Sequence, residues 1–199
     1  MPEQADLFGR QGGERLPDWP DGLAYRTELI TPEEEAELVA RMAELPFRAF
    51  EFQGYLGNRR TVSFGLHYAF DGSGLRETEN APDWLQPVRD RAAAWAGLAG
   101  QALEHLLVTE YAPGAGIGWH RDRPVFEDVI GLSLLAPARL RFRRKAGEKW
   151  ERRAVITEPR SAYLLRGPAR EEWQHSIAPM EALRYSLTFR SLRPGVRPA

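Results

Sequence analysis

The 199 residues carry 27 Lys and Arg against 28 Asp and Glu, a formal net charge of −1. That argues against a globally basic nucleic-acid binder, while a local basic patch stays open. No Cys is present, which excludes disulfides, cysteine-ligated zinc, iron–sulfur clusters and thiol catalysis. A hydrophobic share of 43% with 18 Gly and 15 Pro fits one turn-rich globular domain better than a helix bundle or a disordered chain.

In chain order, residues 1–22 are rich in Gly, Pro and charge and read as a flexible N-terminal arm, with a single domain over 23–199. No apolar signal segment opens the chain. The longest apolar stretch, Val129–Ala138, is ten residues interrupted by Ser133, against about 20 for a membrane span. A soluble, cytoplasmic monomer without membrane contact is expected. Thr31-Pro32-Glu33-Glu34 predicts a helix start: Thr31 caps, Pro32 suits the first helical position and Glu34 completes a capping box. Leu38, Met42 and Leu45 give the apolar stripe, and Pro46 ends the run. Phe50–Tyr68 alternates and predicts strands joined at Gly57-Asn58. A second helix is predicted over Asp83–Ala99, where Val88, Ala92, Trp95 and Ala99 keep the helical period.

From residue 104 the pattern changes to short strands: Glu104–Tyr111, Asp128–Leu135, Leu140–Arg144, Ala162–Leu165 and Arg184–Leu192. Turn signals at Pro113-Gly114, Ala146-Gly147 and Gly167-Pro168 separate them. The expected class is α+β, with a jelly-roll core (a double-stranded β-helix) and two N-terminal helices packed on it.

Three segments carry the chemistry. In Gly118-Trp119-His120-Arg121-Asp122 an extended backbone turns His120 and Asp122 to one side. Alone, such a His-x-Asp also suits an exposed loop with a local hydrogen bond. In Trp173-Gln174-His175-Ser176-Ile177 a second imidazole is available, and a half-buried His satisfied by backbone is the plain alternative. Two His and one carboxylate form the facial triad of non-haem iron oxygenases, although zinc accepts the same ligands. In Arg184-Tyr185-Ser186-Leu187-Thr188-Phe189-Arg190 strict alternation places Arg184, Ser186, Thr188 and Arg190 on one face. Two Arg facing a core are costly unless they meet anions, and a dicarboxylate suits planar guanidinium donors. An edge strand with its charged face in water reads the same way.

Together, His120-x-Asp122, His175 after 55 residues and Arg184-x-Ser186-x-Thr188-x-Arg190 resemble the AlkB-like iron(II)/2-oxoglutarate-dependent dioxygenases. Tyr111-Ala112-Pro113-Gly114 and Ser161-Ala162-Tyr163-Leu164-Leu165 resemble the same family. The resemblance covers roughly residues 50–192. It implies a jelly-roll fold, iron(II) held by His120, Asp122 and His175, and 2-oxoglutarate as co-substrate with O2. Arg190 would face the carboxylate beside the keto group, and Arg184 with the Tyr111 hydroxyl would hold the distal one. Thr109 and Ser186 stand where relatives carry Asn, and both keep hydrogen-bonding capacity. The implied reaction yields succinate and CO2, and on an N-methyl carbon it releases formaldehyde.

The family's repair members extrude a damaged base. Asn58–Gly65 resembles their substrate-facing hairpin, so Arg59 or Arg60 would reach phosphate and Phe64 or Trp119 would stack. For Phe64, core packing is the competing reading. Eight basic residues lie within Arg139–Arg153, and Arg139, Arg141 and Arg143 share one strand face. These suggest a phosphate-tracking stripe or, alternatively, a solvated strand that resists edge pairing. Pro124 replaces an acid that contacts the base in the bacterial repair enzyme, leaving Glu127 or Asp128 as possible substitutes. Alkylated DNA or RNA is the expected substrate. The same chemistry on a protein or small molecule, and a non-catalytic metal-binding jelly roll, are the alternatives.

Overall fold

The computed structural model describes residues 18–52, 55–69 and 74–198. Residues 1–17, most of the expected arm, lie outside it. Residues 18–22 are fastened to the body: Asp18 pairs with Arg153 at 2.8 Å, and Trp19 packs edge-on against Tyr25 with ring centroids 5.8 Å apart.

Strands β1 (Leu23–Arg26), β2 (Arg48–Phe52), β3 (Tyr55–Phe64), β6 (His105–Tyr111), β8 (Phe126–Leu134), β11 (Ala162–Leu165) and β13 (Arg184–Leu192) form a seven-stranded sheet. Its order is β1-β11-β8-β13-β6-β3-β2. Strands β7 (Ile117–His120), β9 (Ala138–Ala146), β10 (Lys149–Thr157) and β12 (Gln174–Ile177) form a four-stranded sheet ordered β10-β9-β12-β7. Strands β4 (Leu66–Ala69) and β5 (Gly74–Glu77) pair separately. The strands pair antiparallel throughout the described residues. The two larger sheets face each other across an apolar layer in which Val129 and Leu165 meet Leu140, Phe142, Val155 and Ile177.

The large sheet is covered on its other face as well. Helix α1 (Pro32–Met42) begins with the expected capping box: Thr31 Oγ1 accepts from the Glu34 amide at 3.2 Å, and Glu34 Oε2 accepts from the Thr31 amide at 2.8 Å. Helix α2 (Gln86–Trp95) follows a single 3-10 turn at Asp83–Leu85 and is shorter than the expected span. Leu38, Met42, Val88 and Ala92 from these helices share one cluster with Val108, Leu132, Leu187 and Phe189 of the sheet. Alternation along β13 thus sorts residues between two interiors. Tyr185, Leu187 and Phe189 join the helical side, and Ser186, Thr188 and Arg190 turn between the sheets. No helix among the described residues is long and apolar enough to cross a membrane.

Two sequence expectations are corrected. Gly57-Asn58 is not a turn, because β3 runs through both residues. Lys149–Thr157, given no strand in the sequence reading, is β10, a hairpin partner of β9 across Gly147 at φ +62°. Its charged stretch hides the alternation because only Val155 and Thr157 are fully buried.

Candidate active site

His120 ends β7 and His175 lies on β12, directly opposite it in the antiparallel register. Facing positions on neighbouring strands hold side chains side by side, and the two imidazole centroids are 4.3 Å apart. Asp122 follows on the loop after β7, with Oδ2 3.5 Å from His175 Nε2. One buried pocket between the sheets is lined by His120, Asp122 and His175 together with Arg59, Thr109, Tyr111, Tyr163, Ser186, Thr188 and Arg190. A larger hollow between α1 and α2 is lined by Leu38, Trp84 and Arg91. It has only structural ion pairs on its walls and no comparable set of chemical groups.

Electrostatics prepare the three donors. Burial, aided by His120, pushes His175 down to about 3, so its ring is neutral near pH 7. Burial lowers His120 too. The His120 Nδ1–H donates to the Gly118 carbonyl at 2.8 Å, which leaves the Nε2 lone pair facing the pocket. Burial opposes ionisation of Asp122, but Arg190, with the neighbouring imidazoles and Arg170, holds its carboxyl well below the ordinary carboxylate range. Asp122 Oδ2 is buried without a hydrogen-bond partner. An ionised, unpartnered oxygen beside two neutral imidazoles is a donor set for a cation. The donors do not already close on a single point. Adjacent donors on one metal at about 2.1 Å stand roughly 3 Å apart, so the 3.5 Å separation needs a shift of only about half an ångström.

Beside the pocket stands a group suited to an anion. Arg184 is fully buried; its Nε donates to Ser133 Oγ at 3.0 Å, and both Nη groups lack partners. Its guanidinium carbon lies 5.1 Å from the centre of the Tyr111 ring, one wall of the pocket. A buried guanidinium with two idle donors calls for an anion. Thr109 and Ser186 pair directly across β6 and β13 and line the same space.

Arg190 is more committed than expected. Nε and Nη2 both reach Asp122 Oδ1, at 2.9 and 2.7 Å, and Nη1 contacts His105 Nδ1 at 3.1 Å. The nearest anion for this guanidinium is the aspartate itself. His105 is buried and held neutral by desolvation and by Arg190, so its Nδ1 accepts the Arg190 proton. The single-sequence signal for this role is absent, because His105 lies 15 residues before His120 on another strand. Tyr163 also lines the pocket, and burial pushes its phenol up to about 12, so it stays a neutral donor. Gly131, its partner across β11 and β8, makes room for it: a Cβ there would meet the Tyr163 ring at 2.2 Å.

The expected substrate residues separate. Arg59 pairs in register with Tyr111 and lines the pocket. Arg60 does not: it faces the other way and forms a forked pair with Glu110 at 2.7 and 2.8 Å. Phe64 is buried in the helix-side core and cannot stack on a base. Trp119, Arg141 and Arg143 lie on the outer face of the small sheet, away from the triad. Consecutive residues point to opposite sides on β7 and on β9, so Trp119 turns away from His120, and Arg141 and Arg143 turn away from Phe142. Glu127 and Asp128 do not replace the acid lost at Pro124. Asp128 is clasped by Arg166 at 2.8 and 2.7 Å, and Glu127 lies 3.5 Å from Arg193.

With this geometry in place, the comparisons agree on the class. The model of the 2OG-Fe(II) oxygenase superfamily matches residues 22–190, and the chain belongs to that family. Within it the chain is AlkB-like. It is 28% identical over 182 residues to the alkylated DNA repair protein ALKBH8 homolog of Arabidopsis thaliana, covering 78% of this chain and 50% of the relative. It is 38% identical over 111 residues to the probable RNA/DNA demethylase ALKBH6 of Danio rerio, covering 56% of this chain and 45% of the relative. The chain thus spans about half the length of the curated relatives it matches. In fold it resembles OsALKBH1, with a TM-score of 0.62 at 16% identity over 90% of this chain and 100% of that one. A Pseudomonas putida prolyl-4-hydroxylase gives 0.57 at 18% identity over 87% and 94%. The family uses iron(II), 2-oxoglutarate and O2, which chooses iron over the zinc that the donor types alone allow.

Proposed function

We propose that this chain is an iron(II)- and 2-oxoglutarate-dependent dioxygenase that oxidatively demethylates alkylated bases in DNA or RNA. One observation carries the catalytic part. A single buried pocket holds two neutral imidazoles and an unpartnered carboxylate oxygen, and beside it stands a guanidinium with two idle donors. Those charges complement a divalent cation and a dicarboxylate. The bound iron and co-substrate supply oxidative decarboxylation to succinate and CO2 coupled to hydroxylation of a substrate C–H bond.

The protein's own groups position and insulate that chemistry. His120, Asp122 and His175 hold the metal, with His120 locked in its metal-binding tautomer by the Gly118 carbonyl. Arg190 occupies Asp122 Oδ1 and so presents Oδ2. Arg184 grips the distal carboxylate, with the Tyr111 and Tyr163 phenols and the Thr109 and Ser186 hydroxyls as neutral donors in the same cavity. The apolar layer and the two helices behind the large sheet keep bulk water away from these groups. Arg59, the pocket-lining cation besides Arg190 among the described residues, is assigned to substrate contact. The nucleic-acid assignment is supported by the likeness to the relatives named above.

The test is anaerobic loading with iron(II) and 2-oxoglutarate, then oxygen and a panel of methylated DNA and RNA oligonucleotides. Succinate and formaldehyde are read separately. The proposal expects formaldehyde in step with succinate for at least one oligonucleotide. Succinate without formaldehyde from any member of the panel overturns the demethylase assignment, and no succinate under any condition overturns the dioxygenase itself.

A further inference from the structure

The outer face of the small sheet carries a cationic ladder that the catalytic pocket does not use. Leu140 and Phe142 turn inward from β9, so Arg139, Arg141, Arg143 and Lys145 turn outward. On β10, Arg152 stands opposite Arg143, and Trp150 stands opposite Lys145. Ion pairs sort these strands sharply. Arg144 is bound by Glu151 and Glu172, and Arg153 by Glu151 and Asp18. Arg139, Arg141, Arg143, Lys145 and Arg152 have no carboxylate within ion-pair distance among the described residues.

The ladder is also pre-organised. Arg141 Nε donates to Ser176 Oγ at 3.1 Å, and Arg143 Nε to Gln174 Oε1 at 2.7 Å. Both acceptors are neutral, and each takes only the inner N–H, so the terminal Nη groups keep their full charge and donors. The planes rest on indoles: Arg143 lies 4.6 Å from Trp119 and 4.4 Å from Trp150, and Arg141 lies 5.3 Å from Trp119. Lys145 Nζ lies 5.0 Å from Trp150. Held this way, the guanidinium forks lose little rotamer freedom on meeting an anion. Same-face positions along a strand repeat at about 6.8 Å, a step comparable to that between phosphates of an extended single strand. Cations interleaved with indoles are how sequence-tolerant single-strand surfaces are built.

We propose that this outer face is a docking platform for single-stranded nucleic acid, separate from the catalytic pocket. It rests on the reading that the substrate is nucleic acid and deepens it. Phosphates lie along Arg139, Arg141, Arg143, Lys145 and Arg152, with Trp119 and Trp150 as stacking surfaces. β7 is the edge strand where the two faces meet, with Trp119 turned outward and His120 turned to the pocket. A strand held on the platform reaches the sheet edge at the residue next to the proposed metal ligand.

The experiment is fluorescence anisotropy of labelled 15-nucleotide oligodeoxythymidylate and oligouridylate with the full chain, free of metal and co-substrate, over a salt series. The Arg141→Ser/Arg143→Ser/Arg152→Ser variant should bind both strands more weakly. Its log–log salt slope should shrink by about two units, from roughly 0.7 per lost phosphate contact on a single strand. An Arg26→Ser/Arg76→Ser/Arg197→Ser variant removes the same charge from exposed positions elsewhere and should keep the wild-type slope. The corresponding triple Arg→Lys variant should recover most of the slope, which separates charge from misfolding. Equal slopes in the two serine variants, or no binding of either strand by the wild type at low salt, overturn the platform. Formaldehyde release is not needed for this reading, so binding with no turnover condemns the catalytic proposal and leaves the platform standing.

Discussion

Arg190 grips one oxygen of Asp122 and leaves the other alone. Nε and Nη2 reach Oδ1 at 2.9 and 2.7 Å, while Oδ2 has no hydrogen-bond partner. Arg190→Lys keeps the charge but loses the fork, so the carboxylate is free to turn. Support of this kind around a metal ligand is typically worth about 10- to 100-fold in metal affinity. Anaerobic iron(II) titration should therefore show a loss in that range. Wild-type affinity in the lysine variant would mean that the fork does not orient Asp122.

His105 extends the same chain by one step. It accepts from Arg190 Nη1 at 3.1 Å inside a buried environment. His105→Leu fills similar space but strands a buried N–H, at a cost of about 1–3 kcal/mol. Urea unfolding should show that loss, and iron(II) titration should show weaker binding as Arg190 relaxes. A variant equal to wild type in both measurements would reduce His105 to filler.

These two residues also mark how far the sequence could be read. Strict alternation from Arg184 to Arg190 made the inward face of β13 legible, because a strand's period is independent of its surroundings. That His120 and Asp122 face the same way was legible for the same local reason, whereas His175, 55 residues further on, was joined to them only by the family resemblance. The Arg190–His105 contact was not, since it joins residues 85 apart that only the β6–β13 register brings together. Phe64 and Arg60 failed as substrate residues because one-strand periodicity does not say which face meets the pocket; the helices claim one side of β3, and Glu110 claims Arg60. The basic run at Arg139–Arg153 was visible as composition. Its division into a paired inner set and an open outer set needed the β9–β10 register.

Arg184 carries a distinct prediction about the co-substrate. Its two buried Nη groups have no partner, so 2-oxoglutarate should stabilise the wild type by binding only the folded form, by about 2.7 kcal/mol at a hundred times Kd. Arg184→Met removes charge-assisted hydrogen bonds worth roughly 1.5–3 kcal/mol, or about 10- to 150-fold in affinity. Thermal shift with graded 2-oxoglutarate should show the wild type rising and the methionine variant displaced to correspondingly higher concentration. Superimposed curves would remove Arg184 from the site.

Acid stability offers a check remote from the pocket. Arg91 clasps both oxygens of Glu34 at 2.6 Å and, with the Thr31 amide, holds the carboxyl down to about 2. The folded pKa lies below the unfolded one, so the folded state binds fewer protons; the contribution is complete above the unfolded value and fades as pH falls from about 4.5 towards 2. The pair is 41% and 38% exposed, so solvent screening limits it to at most about 1 kcal/mol. Glu34→Gln keeps an acceptor for the Thr31 amide and loses only the charge. Urea unfolding should place it below wild type by up to that amount at pH 7 and level with wild type near pH 2.

The central claim is that His120, Asp122 and His175 hold one metal ion. It is tested most directly by anaerobic iron(II) titration of the wild type and of His120→Ala, Asp122→Ala and His175→Ala, with circular dichroism confirming that each variant is folded. The wild type should bind one equivalent, strengthened by 2-oxoglutarate, and each folded variant should lose that binding. Wild-type affinity in any one folded variant would contradict the metal assignment and the reaction built on it.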